Sequence, residues 1–143
     1  MHETILLPTD GSDVTEPAVA HAIQLAQSEG ATLHVLHVVD TSVLPLDRHS
    51  RSAYDGMEAA GRDSVEAIRD RAQDVGIHSV SAVRMGTPHR EILDYADENE
   101  VDIVVMGTHG RTGLQRSLLG SVTERVVRLS DVPVLTVRPT VEE

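Results

Sequence analysis

Gly107, Gly110, Gly120 and Ser121 stand in the spacing G-x2-G-x9-G-Ser within the stretch Val101 to Thr123, VDIVVMGTHGRTGLQRSLLGSVT. An apolar run, Ile103 to Met106, breaks at Gly107 into a glycine-punctuated loop, and a helical pattern begins at Gly120-Ser121. A strand feeding a glycine loop feeding a helix N-terminus is suited to holding phosphate. Glycine lets the backbone come close, and unpaired N–H groups of the loop and first helical turn point at the anion. The loop carries His109, Arg111 and Arg116, and no acidic residue lies between Asp102 and Glu124. Part of that gap reflects the exclusion of carboxylates from buried strands. Plainer roles exist beside these: the glycines as turn residues, the exposed basic side chains as solvated surface, and Ser121 with Glu124 as a capping box. The last is compatible with anion binding, because a capped helix N-terminus is also a phosphate site.

The composition narrows the chemistry. All twelve basic residues among the 143 are arginine, and the formal net charge is −11. Any mechanism that needs a lysine, including the phosphate lysine of a P-loop, is ruled out. Non-specific nucleic-acid binding through a basic face is not expected on so acidic a chain. The acidic residues, the absence of lysine and the scarcity of large aromatic side chains (two tyrosines, no Phe or Trp) point to a protein adapted to high salt. Salt screens charge repulsion and strengthens apolar burial. An ordinary acidic cytosolic protein is the alternative. No cysteine is present, so neither a disulfide framework nor thiol chemistry arises. No apolar run approaches a membrane span, and the start MHETILLPTDGS lacks a secretory signal, so a cytoplasmic location and no membrane partner are expected.

Catalytic and metal patterns are not found. The sequence has no G-x-S-x-G elbow, and His109, the best candidate base, has no partner carboxylate nearby in sequence. His34 and His37, three apart on a strand, point to opposite faces and cannot share a metal. The expectation is a binding protein that turns its ligand over weakly at most, with any Mg²⁺ or Mn²⁺ carried in by a bound phosphate.

Hydrophobic periodicity sets out the elements that must position the loop. Residues 3–8 form an apolar first strand stopped by Pro8, and the PTDGS corner follows. A helix from about Val14 to Glu29 places Ala18, Ala22, Leu25 and Ala26 on one face, with Asp13 or Thr15 as cap and Pro17 in the first turn. Thr32 to Val39 is the second strand, and Asp40 to Ser52 an exposed loop. A helix from about Ala53 to Val75 buries Met57, Val65, Ile68, Ala72 and Val75, with Gly61 an unfavourable interior residue. Ile77 to Arg84 is the third strand. Thr87 caps and Pro88 opens a helix that ends near Asn99, with Ile92, Leu93 and Ala96 inward. Ile103 to Met106 is the fourth strand. A helix from Leu119 to Ser130 carries the stripe Leu119, Val122, Val126 and Leu129, and Val134 to Val137 is the fifth strand. Strict β-α alternation with near-continuous apolar strands predicts one doubly wound α/β domain over residues 1–143. Its parallel five-stranded sheet has helices on both faces, and ligands bind at the carboxyl ends where strand order reverses.

At those corners the sequence resembles the universal stress protein family, and in particular its ATP-binding branch. PTDGS after strand one, LHVVD ending strand two, MGTPH after strand three and GTHG-x9-GSVTE after strand four carry the resemblance, which covers essentially the whole chain. It implies ATP as ligand. Asp10 would lie at the ribose, and Val38 would read the adenine edge through its backbone, with Pro8 and Thr9 lining the same pocket. Gly107 would let the chain pass close to the ribose, and Gly86 would keep the neighbouring corner open for the base. Gly110, Gly120, Ser121 and Val122 would present N–H groups and one hydroxyl to the phosphates, with His109 and Arg111 as further phosphate contacts. Asp10 also suits a plain Asx turn before Gly11.

The resemblance further implies a homodimer through Val134 to Val137, an apolar edge strand that needs covering. The function expected is a nucleotide-dependent regulatory switch acting on a protein client, with ATP or AMP as ligand. A nucleotide-independent dimeric scaffold is the second reading. A related α/β enzyme such as an adenylating ATP pyrophosphatase is a third, disfavoured by Asp10 where a phosphate loop would exclude negative charge. A phosphoacceptor receiver is excluded by the missing lysine.

Overall fold

The computed structural model describes residues 2–109 and 119–139. The elements are β1 (Thr4–Pro8), a 3-10 turn (Asp13–Thr15), α1 (Glu16–Glu29), β2 (Thr32–Asp40), α2 (Arg51–Asp74), β3 (Ser79–Gly86), α3 (Pro88–Glu98), β4 (Ile103–Gly107), α4 (Ser121–Leu129) and β5 (Val134–Val137). The five strands form one parallel sheet in the order β3-β2-β1-β4-β5.

The alternation of strand side chains builds two cores. Ile5, Leu7, Leu33, Val35 and Val105 face α1 and α2, where they meet Ala18, Val19, Ala22, Ala26, Val65 and Ala72. Leu6, Leu36, Val104 and Met106 face α3 and α4, where they meet Ile92, Tyr95, Ala96 and Val126. Alanine-rich α1 has small side chains toward the sheet, so its backbone packs close. Leu6 is fully buried, so truncating it to alanine would cost roughly 2–5 kcal/mol.

The chain turns out of three helices by the same device. After α1 the Ala31 N–H reaches the Ala26 carbonyl, after α2 Ile77 reaches Ala72, and after α3 Val101 reaches Ala96. This closure needs a left-handed residue one position earlier. Gly30 at φ 66° and Gly76 at φ 84° meet it without strain, while α3 uses Glu100 at φ 51°.

Several expectations are corrected. The first helix does not start at Val14: a 3-10 turn precedes it, and neither Asp13 nor Thr15 makes a side-chain cap. Leu25 does pack, partly buried, against the core with Ala18, Ala22 and Ala26, and Val19 joins them as a buried residue the stripe omitted. Val75 is 45% exposed because it is the C-cap of α2, beyond the last buried turn, and Tyr54 and Gly61 are buried instead. The third strand begins at Ser79, two residues later than expected, because Ile77 is occupied in closing α2. The last helix begins at Ser121, which leaves Leu119 outside it, and Leu129 at its end is 48% exposed. Thr87 occupies the N-cap of α3 without a side-chain cap hydrogen bond.

Candidate switch-point crevice

Strand order reverses between β1 and β4. Their pairing consists of Ile5 with Ile103 and Leu6 with Val104, so the strands part before either ends. At such a switch point an open parallel sheet leaves a crevice, here with Pro8, Thr9 and Asp10 following β1 on one lip and Gly107, Thr108 and His109 ending β4 on the other. Val38 and Gly86 lie further along the same carboxyl edge, in β2 and at the end of β3. The first turn of α4, with Gly120, Ser121 and Val122, stands over the β4 side. Gly110, Arg111 and Arg116 lie outside the described residues.

The β1 lip is built from hydroxyls. Thr15 donates its hydroxyl proton to the Ser12 carbonyl at 2.8 Å. The Thr9 hydroxyl, 3.1 Å from Thr15 Oγ1, is therefore the donor of that pair. Thr9 Oγ1 in turn accepts the Gly11 N–H at 3.1 Å. Both threonines are buried, so the corner is a satisfied network rather than a loose turn. Gly11 sits at φ 80°, and a Cβ there would stand 2.8 Å from Ser64 Oγ, so α2 supports the corner directly. Asp10 forms the Asx turn: its Oδ1 accepts the Ser12 N–H at 2.9 Å and the Ser12 hydroxyl at 2.6 Å. Its carboxylate is thereby held in one orientation.

On the β4 side, Thr108 and His109 meet the residues just before α4 at a narrow neck. The Gly120 N–H donates to the Thr108 carbonyl at 2.6 Å, and a Cβ on Gly120 would stand 3.3 Å from that oxygen and 3.4 Å from His109 Cα. At Gly107 a Cβ would meet the His109 carbonyl at 3.2 Å. At both glycines a side chain would have to push the facing backbone aside by a few tenths of an ångström. His109 Nδ1 lies 3.2 Å from Thr108 Oγ1.

The capping box does not form. Gly120, in an extended conformation, is the N-cap of α4, and Ser121 is the first helical residue, one position too late to cap. Glu124 pairs with Arg128 at 2.9 Å instead of reaching back. A glycine N-cap has no side chain to offer the amides of the first turn. Those of Ser121, Val122 and Thr123 have no intrahelical partner, and they carry the positive end of the helix dipole.

At β2 the geometry follows from strand parity. In a parallel strand both backbone polar groups of a residue point to the same side, alternating along the chain. Thr32 donates to Glu3, and Leu36 accepts from Thr9 at 2.9 Å, so even-numbered residues of β2 face β1. Val38 therefore aims its N–H and C=O at β1 beyond the last paired position, Pro8 with Leu36. An adjacent donor and acceptor fixed at the edge of a crevice match the edge of a purine base.

Residues with no motif to announce them also shape the site. Thr123, buried in the first turn of α4, donates its hydroxyl to the Gly107 carbonyl at 2.8 Å. His37 places Nδ1 2.9 Å from the Thr9 carbonyl. Tyr54 accepts the Leu44 N–H at 3.0 Å and lies 3.0 Å from the Thr41 carbonyl, tethering the 41–50 loop to α2. Helical or strand periodicity marks none of these, because each depends on a neighbour distant in sequence.

A second hollow of about 280 Å³ lies between the β1 corner, α1 and α2, with the Glu16–Arg71 ion pair of 2.6 Å in its wall. Neither Val38, Gly107 nor the start of α4 lines it. Among the described residues no group of three or more histidine or acidic side chains gathers as a metal site. His34 and His37 lie on opposite faces as strand geometry requires, His34 against Tyr95 at 2.6 Å and His37 against Thr9.

The sequence matches the model of the universal stress protein family over residues 1–138. It is 36% identical over 141 residues to universal stress protein MJ0531 of Methanocaldococcus jannaschii, covering 96% of this chain and 83% of that protein. The solved structure of MJ0577, from the same archaeon, superposes with a TM-score of 0.92 at 33% identity and covers 99% of both chains. A universal stress protein crystallised in complex with cAMP superposes with a TM-score of 0.75 at 29% identity, covering 97% of this chain and 99% of its own.

Proposed function

The chain belongs to the universal stress protein family, and from that premise we propose that its switch-point crevice binds ATP as the ligand of a regulatory switch. The observation that carries this reading is the pairing of two backbone devices across one crevice. At β2, Val38 presents a donor and an acceptor suited to the adenine edge. Across the β1–β4 split, α4 begins with uncapped amides behind a glycine neck suited to phosphates. The distance between them is bridged by the Asp10 corner, whose oriented carboxylate accepts ribose hydroxyls. Gly107 keeps the floor low, Pro8 and Thr9 wall the base, and Gly86 leaves the adjoining corner open. Gly110, Arg111 and His109 complete the phosphate end. The cAMP bound by a relative of 29% identity supports an adenine nucleotide as the ligand class.

The chemistry offered is binding. Backbone amides and the Ser121 hydroxyl hold phosphate oxygens. A Mg²⁺ or Mn²⁺ ion would ride on the phosphates with most of its shell as water. Turnover is at most slow, and nucleotide occupancy acts through the 108–119 loop on a surface that a protein client reads. We place the protein in the cytoplasm and in a high-salt medium, as its arginine-only acidic composition suggests. Among the described residues no helix is long and apolar enough to cross a membrane.

Calorimetric titration of ATP and AMP into the purified protein at high salt is the direct test. Saturable binding at one site per chain is expected, and absence of binding by both nucleotides overturns the reading. A second reading rests on β5, whose outer edge is the end of the sheet and whose four residues are all half-buried. In that reading a dimer through Val134–Val137 is the functional unit, with or without nucleotide. Mass measured in solution tests the dimer, and nucleotide retained through purification separates the two readings.

A further inference from the structure

We propose that His37 is the positioning residue that keeps β1 and β2 apart at Val38, so that the Val38 backbone stays available to a ligand. The inference rests on the crevice being a nucleotide site. It starts from the end of the β1–β2 ladder, where β1 stops at Pro8 while β2 runs on to Asp40. β1 and β2 pair without interruption from Thr4–Thr32 to Pro8–Leu36, and the Thr9 N–H still donates to the Leu36 carbonyl at 2.9 Å. By parity the next bond of a parallel ladder would run from the Val38 N–H to the Thr9 carbonyl. That rung is not made. The Thr9 carbonyl accepts instead from the His37 ring, whose Nδ1 lies 2.9 Å away. A carbonyl is an acceptor only, so Nδ1 carries the proton of this bond. The imidazole stands at the carbonyl where the backbone of the next residue would have bonded, and its bulk holds the two strands off that rung.

Helix α2 is cut to fit the ring. A Cβ at Gly61 would stand 2.2 Å from His37 Cδ2 and 2.9 Å from Cγ, closer than any side chain can approach. Glycine in a helix interior is unfavourable in itself. Here it is the seat that lets the imidazole lie between α2 and the sheet and reach the Thr9 carbonyl. The β1 corner is thereby gripped from the same helix twice, by His37 over Gly61 and by Ser64 against Gly11. The result is a β2 edge whose donor and acceptor are withheld from the sheet, at the position where a base would be read.

Amide hydrogen exchange and nucleotide titration together test the proposal on the full chain. In the wild type the Val38 amide should exchange at least about tenfold faster than the Leu36 amide, because only the latter is in the ladder. In His37→Leu the Thr9 carbonyl is released and Val38 should gain protection. ATP affinity should then fall about tenfold, the worth of one such hydrogen bond. GTP, which cannot use the same donor and acceptor order, should change less, so the ATP-to-GTP preference narrows. His37→Asn, whose amide N–H can reach the same carbonyl, should retain exchange and preference near the wild type. Gly61→Ala, which expels the ring without touching the strand, should behave like His37→Leu and serves if that variant folds poorly. A Val38 amide as protected as Leu36 in the wild type, or unchanged in both disruptive variants, overturns the proposal. If exchange responds as stated while neither ATP nor AMP binds the wild type, the gap stands and the nucleotide reading alone falls.

Discussion

The Thr123 hydroxyl donates to the Gly107 carbonyl at 2.8 Å, joining the first turn of α4 to the last residue of β4 across the neck of the glycine loop. Both lips of the neck are then one rigid piece, since Gly120 also donates to Thr108. Thr123→Val keeps the shape and removes the donor, leaving a buried carbonyl without its partner. That loss costs about 1–3 kcal/mol, which should lower the urea midpoint without changing its slope. Thr123→Ser should recover most of it. Equal midpoints for valine and threonine would show that the bond contributes nothing.

Glu100 closes α3 in the left-handed conformation at φ 51°, a task given to glycine after α1 and α2. A side chain there costs about 1–2 kcal/mol in the folded state. Glycine also gains entropy when unfolded, which offsets part of the benefit. Glu100→Gly should therefore stabilise the protein by about 0.5–1 kcal/mol, read as a higher midpoint in thermal or urea unfolding. A destabilised variant would mean that the Glu100 side chain makes a contribution larger than its backbone strain.

The sheet and its order of elements are legible because they rest on runs of many residues. TLHVLHVV and IVVMG can hardly be anything but buried strands, and β-α alternation leaves little topological choice. The corners are legible because glycine and proline advertise their backbone. What escapes is the single polar residue whose partner is remote. Gly61 reads as a flaw in a helix until His37 is seen lying on it, and no pattern marks Thr123 as the partner of Gly107. The capping-box misreading is a register error of one residue: the S-x-x-E pattern requires serine at the N-cap, and Gly120 holds that place. Val75 and Leu129 continue a helical stripe in sequence, but each lies at a helix end that points past the core.

His34 is half-buried with Nδ1 2.6 Å from the Tyr95 hydroxyl, and its pKa is lowered, first by burial and then by nearby His78. The folded state thus binds a proton less readily than the unfolded chain. As pH falls through the ordinary imidazole value of about 6.5 the unfolded chain takes up its proton first, so stability declines until the lowered folded value is passed. His34→Gln, which keeps a polar partner for Tyr95 and cannot titrate, should show a flatter midpoint between about pH 7.5 and 5.5. Parallel wild-type and variant curves over that window would assign the dependence to other groups.

With 23 acidic against 12 basic residues and no lysine, self-repulsion should weaken the fold in dilute buffer. Raising KCl from about 0.1 M to several molar shortens the Debye length from about 10 Å to below about 3 Å. The melting temperature should rise steeply over the first part of that range as repulsion is screened. It should then climb more slowly as salt strengthens apolar burial. A melting temperature that is flat or falls with KCl would remove the case for a high-salt medium.

Gly120 separates the loop's role in binding from its role in the fold. Its extended N-cap conformation is open to any residue, so a side chain brings no φ penalty. The obstacle is space: a Cβ meets the Thr108 carbonyl at 3.3 Å and His109 Cα at 3.4 Å. Gly120→Ala asks for a shift of a few tenths of an ångström, whereas Gly120→Val pushes branches into the neck and turns the first amides of α4 away from the crevice. ATP affinity should fall modestly for alanine and by more than about tenfold for valine, since several charge-assisted amide contacts are misdirected together. Circular dichroism and melting should stay close to the wild type, because neither hydrophobic core includes this position. Valine that binds ATP as well as glycine would move the phosphates away from α4, and with them the case for this crevice.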